Sequence, residues 1–175
     1  MRKLIILSAP LALLASPALA QSTDVTGTVD INGSVAGRCM FTVPNKTISL
    51  GEISLASNGK LDVSKVNGRS ETLTGWCNNT TASMTVTSTE LTNSTSAPTG
   101  FDNRVNYTAT AVTGSTSASD SSVVAGAGTP SSVGLFTGDI VVTLSNASSP
   151  TNGLMVAGTY TGNVVVTLTP TVIGG

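Results

Sequence analysis

From Val25 onward the chain alternates. Val25, Gly27, Val29, Ile31, Gly33 and Val35 share one parity; Thr26, Thr28, Asp30, Asn32 and Ser34 share the other. Successive side chains of an extended backbone point to opposite faces, so this pattern predicts a strand with one apolar or small face and one polar face. The alternation runs on through Cys39, Phe41 and Val43 until Pro44-Asn45 breaks it. A short extended piece, Thr47, Ile48, Ser49 and Leu50, then ends at Gly51. Asn58-Gly59 and Asn67-Gly68 mark turns.

The pattern returns in four more places and most clearly in a fifth. Residues 70–77 put Leu73, Gly75 and Cys77 on one face. Ala82, Met84 and Val86 alternate with Ser83, Thr85 and Thr87. Residues 104–112 align Val105, Tyr107, Ala109 and Ala111, and residues 139–145 align Ile140, Val142 and Leu144. Finally, Tyr160, Gly162, Val164, Val166 and Leu168 alternate with Thr161, Asn163, Val165, Thr167 and Thr169, and Pro170 ends the run. The stretches 92–100, 113–122, 125–134 and 145–157 are rich in Ser, Thr, Gly and Asn and are expected to be loops. About seven or eight short strands joined in this way predict an all-β chain, an antiparallel β-sandwich of Ig-like size.

Composition agrees. The 175 residues include 28 Thr and 23 Ser, with 18 Gly, 10% charged and 3% aromatic residues. Thr and Val suit a pleated surface, whereas Ser, Thr and Gly are poor helix formers. There is no histidine, which removes imidazole bases and imidazole metal ligands. No hydroxyl has a neighbour placed to activate it, and Glu52, Asp62, Glu71 and Glu90 form no recognisable acid/base pair. Asp102, Asp120 and Asp139 match no calcium loop and are expected to be solvated turn residues. Neither a catalytic site nor a cofactor or metal site is expected. Trp76 falls on the polar face of its strand and is expected to pack under a loop rather than touch a partner. Asn79-Thr80-Thr81 has the form of a glycosylation sequon.

The first twenty residues read differently. Arg2 and Lys3 precede an apolar run broken by Pro10 and Pro17, and Ala18-Leu19-Ala20 is an A-x-A cleavage signal before Gln21. This predicts a secretory leader over 1–20, hence export, rather than an anchor. Without it, six basic side chains face nine acidic ones, a balance of −3 with no basic cluster, so nucleic acid is not an expected partner. In an exported chain Cys39 and Cys77, the only two cysteines, are expected to form one disulfide.

The ordered run Gly27-Thr28-Val29-Asp30-Ile31-Asn32-Gly33-Ser34-Val35, followed by Cys39, resembles the start of chaperone–usher fimbrial major subunits of the type 1 kind. Ile48-Ser49-Leu50-Gly51-Glu52-Ile53 is similar to the short strand after that family's first cysteine, and Cys77 falls where these pilins carry their second. The run from Ala157 through Pro170 looks like the last strand of other fimbrial branches, and it continues into a tail, 171–175, where type 1 pilins end soon after a penultimate tyrosine.

The resemblance implies an incomplete Ig-like antiparallel β-sandwich that lacks its seventh strand, leaves a groove open beside its last one and is completed by donor-strand exchange. A periplasmic chaperone would first fill the vacant groove. At an outer-membrane usher, the N-terminal extension of a neighbouring pilin would replace it, and the fibre, with a tip adhesin at its end, would serve surface adhesion and biofilm formation outside the cell. Residues 21–36 would then be the donor extension and 37–175 the pilin domain. Val25, Gly27, Val29, Ile31 and Gly33 would enter the neighbour's groove; Tyr160, Val164, Val166 and Leu168 would line the subunit's own. Two rival readings stand beside this one. In the first, residues 25–35 pair within their own chain, and the protein is a self-complete secreted Ig-like module that binds a surface glycan or protein. The second, a small periplasmic enzyme, is disfavoured by the missing histidine.

Overall fold

The computed structural model describes residues 24–171. The expected leader lies outside the described residues, as does most of the C-terminal tail. The chain divides into two units between Ser34 and Val35, two residues before the expected boundary. In the first unit, residues 24–34 carry no strand, and Val25, Val29 and Ile31 are 93%, 85% and 92% exposed. The alternation there predicts a half-buried strand, and the described chain does not form one. An extended segment outside a ladder has neither backbone partners nor a face to bury.

The second unit is all-β. Its strands are Cys39–Val43 (β1), Ser70–Cys77 (β2), Ser83–Ser88 (β3), Leu91–Thr92 (β4), Phe101–Asp102 (β5), Arg104–Thr113 (β6), Thr116–Ser121 (β7), Ser131–Ser132 (β8), Phe136–Ser148 (β9), Leu154–Met155 (β10) and Val164–Thr169 (β11). A single 3-10 turn at Val63–Lys65 is capped by the Asp62 carboxylate, which accepts the Ser64 N–H; among the described residues there is no α-helix. The larger sheet has the order β1-β2-β9-β6, with β4 and β7 along the free side of β6, all antiparallel. The smaller has the order β11-β3-β8, also antiparallel. β5 and β10 make a short parallel pair.

The two larger sheets share one core, an arrangement compatible with a β-sandwich. β3 contributes Met84 and Val86, β6 Val105, Tyr107, Ala109 and Ala111, β9 Ile140, Val142 and Leu144, and β11 Val166. In β3, β6 and β9 the buried parity is the apolar parity of the sequence. β2 spans the predicted 70–77, with Gly75 and Cys77 buried. Gly59 and Gly68 both have positive φ, 67° and 79°, the left-handed turns that Asn-Gly signals. Cys39 and Cys77 stand opposite each other in the β1–β2 register and are disulfide-bonded.

Three expectations need correction. The 113–122 loop is mostly strand β7, joined to β6 by a tight turn at Gly114 (φ 55°). Its buried parity is Ala118 and Asp120, so small and charged residues hide the period that Val or Ile would have announced. β9 reaches Ser148 and β10 lies at 154–155, both inside the expected 145–157 loop; β4 ends on the first residue of the expected 92–100 loop and β8 lies inside the 125–134 one. The extended piece at 47–50 joins no ladder, although Ile48 and Leu50 pack half-buried on the core.

Candidate functional site

β11 begins at Val164, not at Tyr160, and pairs with β3 from Val164↔Ser88 to Thr169↔Ser83. That is its only ladder among the described residues, and among them its other edge is open. An open edge presents unpaired N–H and C=O groups, ready to accept another strand. Beside it the surface falls away into two cavities. The smaller, about 270 Å³, reaches the core residues Leu73, Leu91, Tyr107, Val142 and Leu144. The larger, about 670 Å³, has residues 47–54 on one side and 155–162 on the other. Both are lined by Thr47, Ile48, Leu50, Leu91 and Gly162, which makes them one continuous groove. Its floor is core, and its first wall, 46–54, is the stretch whose strand pattern has no ladder.

Of the residues expected to line this groove, Val164 borders the smaller cavity and Tyr160 the larger. Val166 is buried and Leu168 half-buried against the core on the same face, but neither lines either cavity. A Cβ on Gly75 would lie 3.6 Å from the Leu168 side chain and 3.4 Å from Phe41, so β1 and β2 close over that end. The expected donor residues Val25, Gly27, Val29, Ile31 and Gly33 are all exposed.

Polar groups hold the opposite wall, 155–162, and the approach to β11 in place. Tyr107 donates its hydroxyl proton to the Thr89 carbonyl at 2.7 Å and lies 3.2 Å from the Asn163 carbonyl, just before β11. Burial first, then the nearby Asp120 carboxylate, pushes its pKa up to about 12. The Tyr160 hydroxyl sits 2.9 Å from the Val156 carbonyl and 3.1 Å from that of Asp102. Burial raises its pKa, against the opposing hydrogen bonds. The Asn93 amide donates to the carbonyls of Val156 and Ala157.

Asp102 and Asp120 correct another expectation: they are 4% and 9% exposed, not solvated. The Asp102 carboxylate accepts the Thr151 N–H and hydroxyl and the Gly153 N–H, the last at 2.8 Å. Burial alone would raise its pKa; the bonds from Gly153, Thr151 and Ser149 together outweigh that and hold it below the ordinary carboxylate value. Asp120 accepts the Ser88 N–H and hydroxyl at 2.7 and 2.8 Å, tying β7 to β3. Asp139 is exposed, as expected, but lies within β9 rather than in a turn. Glu52 and Asp62 accept from Ser54 and Ser64 two residues on, and Glu90 pairs with Arg104 at 3.2 Å. These carboxylates brace turns and strands. No three metal-ligating side chains come together among the described residues.

The sequon asparagine is spoken for: Asn79 is 5% exposed, its oxygen accepts from Thr81, and its amide donates to the Thr171 carbonyl. Trp76 lies on the outer face of β2, half-buried, opposite Met40 and Thr137. Sequence reasoning missed the 46–54 wall, Leu91 and Tyr107 as groove residues. The alternation of Ile48 and Leu50 was the available signal, but it says nothing of what lies opposite. No family model matches the chain, nor does any curated protein or solved structure.

Proposed function

We propose that this chain is a structural subunit of a chaperone–usher fimbria, exported and assembled by strand donation between copies. A copy's exposed extension fills the open groove of its neighbour, and repetition builds the fibre. The observation that carries this reading is the groove itself: a cleft that reaches down to core side chains, beside a strand that pairs along one edge only among the described residues. Such an opening is costly for a chain this poor in aromatic residues, and an added strand relieves it with backbone hydrogen bonds and alternate side chains in the cavities.

The same molecule supplies a segment with the required pattern. Residues 25–33 make eight extended steps, about 26 Å at 3.3 Å each; the wall from 46 to 54 also makes eight. Each of Val25, Val29 and Ile31 moved from water into the groove contributes roughly 1.5–3 kcal/mol. The donor and acceptor surfaces are different parts of one chain, so the contact is head to tail and does not close on itself, as a fibre requires. In transit, a periplasmic chaperone would cover the groove with a strand of its own. The finished fibre would carry surface adhesion.

The test uses chaperone-bound subunits and synthetic peptides spanning residues 21–36. The wild-type peptide and Thr28→Asp are expected to displace the chaperone at similar rates, because Thr28 belongs to the polar parity. Ile31→Asp is expected to do so at least tenfold more slowly, since it would bury an unpaired carboxylate. Equal rates for the two variants, or a wild-type subunit that is a stable monomer indifferent to the peptide, would favour the self-complete binding module instead.

A further inference from the structure

One end of the larger sheet carries features that the groove does not use. Next to the bridged Cys77, Asn78 ties down the chain leading into β1. Its side-chain oxygen accepts the Arg38 N–H, its amide donates to the Ala36 carbonyl at 3.1 Å, and its own N–H donates to the Arg38 carbonyl at 3.0 Å. Asn79 fills the space beside Gly37, where a Cβ would collide with its amide. Residues 36–38 are therefore held on a set path. On the outer face of the same end, Met40 stands directly opposite Trp76 and is 55% exposed. Leu135, one residue before the Phe136 that faces Cys77, is 62% exposed.

The length of chain beside this patch says what covers it. With residues 25–33 seated in a neighbour, only Ser34 and Val35 separate the last donor residue from the pinned Ala36. Three peptide steps reach at most about 11 Å. The neighbour's groove must then end close to the Asn78 anchor, and its surface must lie beside these apolar side chains. We propose that Met40 and Trp76, with Leu135, form a second contact onto the copy that receives this chain's extension. This proposal rests on the subunit reading above. Tryptophan and methionine are enriched where proteins meet, and such a contact would restrict hinging at the two-residue link.

Trp76 is the only tryptophan in the chain, so its fluorescence reports the patch directly. Acrylamide quenching is compared between subunits filled with the 21–36 peptide and fibres of the same chain. The peptide closes the groove without bringing a neighbour. Quenching in fibres is expected to fall at least threefold below that of the peptide-filled subunit. Met40→Lys, an outward substitution, is expected to bind the peptide at the wild-type rate. Its fibres are expected to be quenched to within twofold of the peptide-filled subunit; failure to polymerise despite normal peptide binding would equally support the contact. Fibres in which Trp76 is quenched as fully as in the peptide-filled subunit would overturn the contact and leave the subunit reading standing. Met40→Lys fibres that protect Trp76 as well as wild type would overturn it too. A wild-type chain that binds no peptide and forms no fibres would remove both proposals together.

Discussion

At the scale of single residues, the buried carboxylates do the most holding. Asp102 gathers the 151–153 turn onto β5 through bonds to Thr151 and Gly153, and the same backbone continues into the groove wall at 155–162. Its folded pKa is depressed, so its stabilisation is fully present above the unfolded carboxylate's pKa and is lost as the pH falls through the folded value. Urea midpoints measured down an acid series are therefore expected to decline below the usual carboxylate range. Asp102→Asn is expected to cost about 2 kcal/mol at neutral pH and to flatten part of that decline. An unchanged acid limb in the variant would show that other groups set it. Sequence offered no warning of this role. Asp102 and Asp120 follow or sit among Gly, Ser and Asn, where carboxylates are usually wet, and only the fold brings Thr151, Gly153 and Ser88 to them.

At the scale of elements, β11 shows how far period two reaches. Its sequence separates Val166 from Val165 by parity alone, and the structure buries the first to 8% exposure while leaving the second at 48%. Val166→Asp is expected to abolish soluble subunit, because an unpaired carboxylate in the core costs several kcal/mol. Val165→Asp is expected to stay within about 0.5 kcal/mol of wild type. Comparable soluble yields for the two would contradict the assigned faces. Where parity is carried by apolar side chains throughout, as in β3, β6 and β9, the strand was legible; where Ala118 shares it with the charged Asp120, in β7, it was not. That 47–50 joins no ladder among the described residues was illegible for another reason. An apolar alternation states that a segment can lie on a core, not that a neighbouring strand is present to bond with it.

At the scale of the whole molecule, a core of small aliphatic side chains leaves little margin, and the disulfide weighs heavily. Cys39 and Cys77 are 38 residues apart in sequence, and closing a loop of that length restricts the unfolded chain by about 3–4 kcal/mol in the entropic model. Replacing both by serine is expected to lower the melting temperature of the peptide-filled subunit by roughly 10 °C. A melt unchanged within about 2 °C would mean that the ladder between β1 and β2 suffices without the bond.

The sequence by itself determined the all-β class, the parity of β3, β6, β9 and β11 and the pairing of its two cysteines. Those follow from the two-residue repeat of an extended backbone and from having one way to pair two thiols. It also marked the 25–33 segment as two-faced. Only the tertiary structure decided that this segment joins no ladder among the described residues, that β11 pairs there along one edge only, and that a cleft floored by core residues runs between residues 46–54 and the approach to β11. The physical reason is that alternation is local, encoded in neighbours two apart, whereas the cleft beside β11 is a relation among segments more than a hundred residues apart.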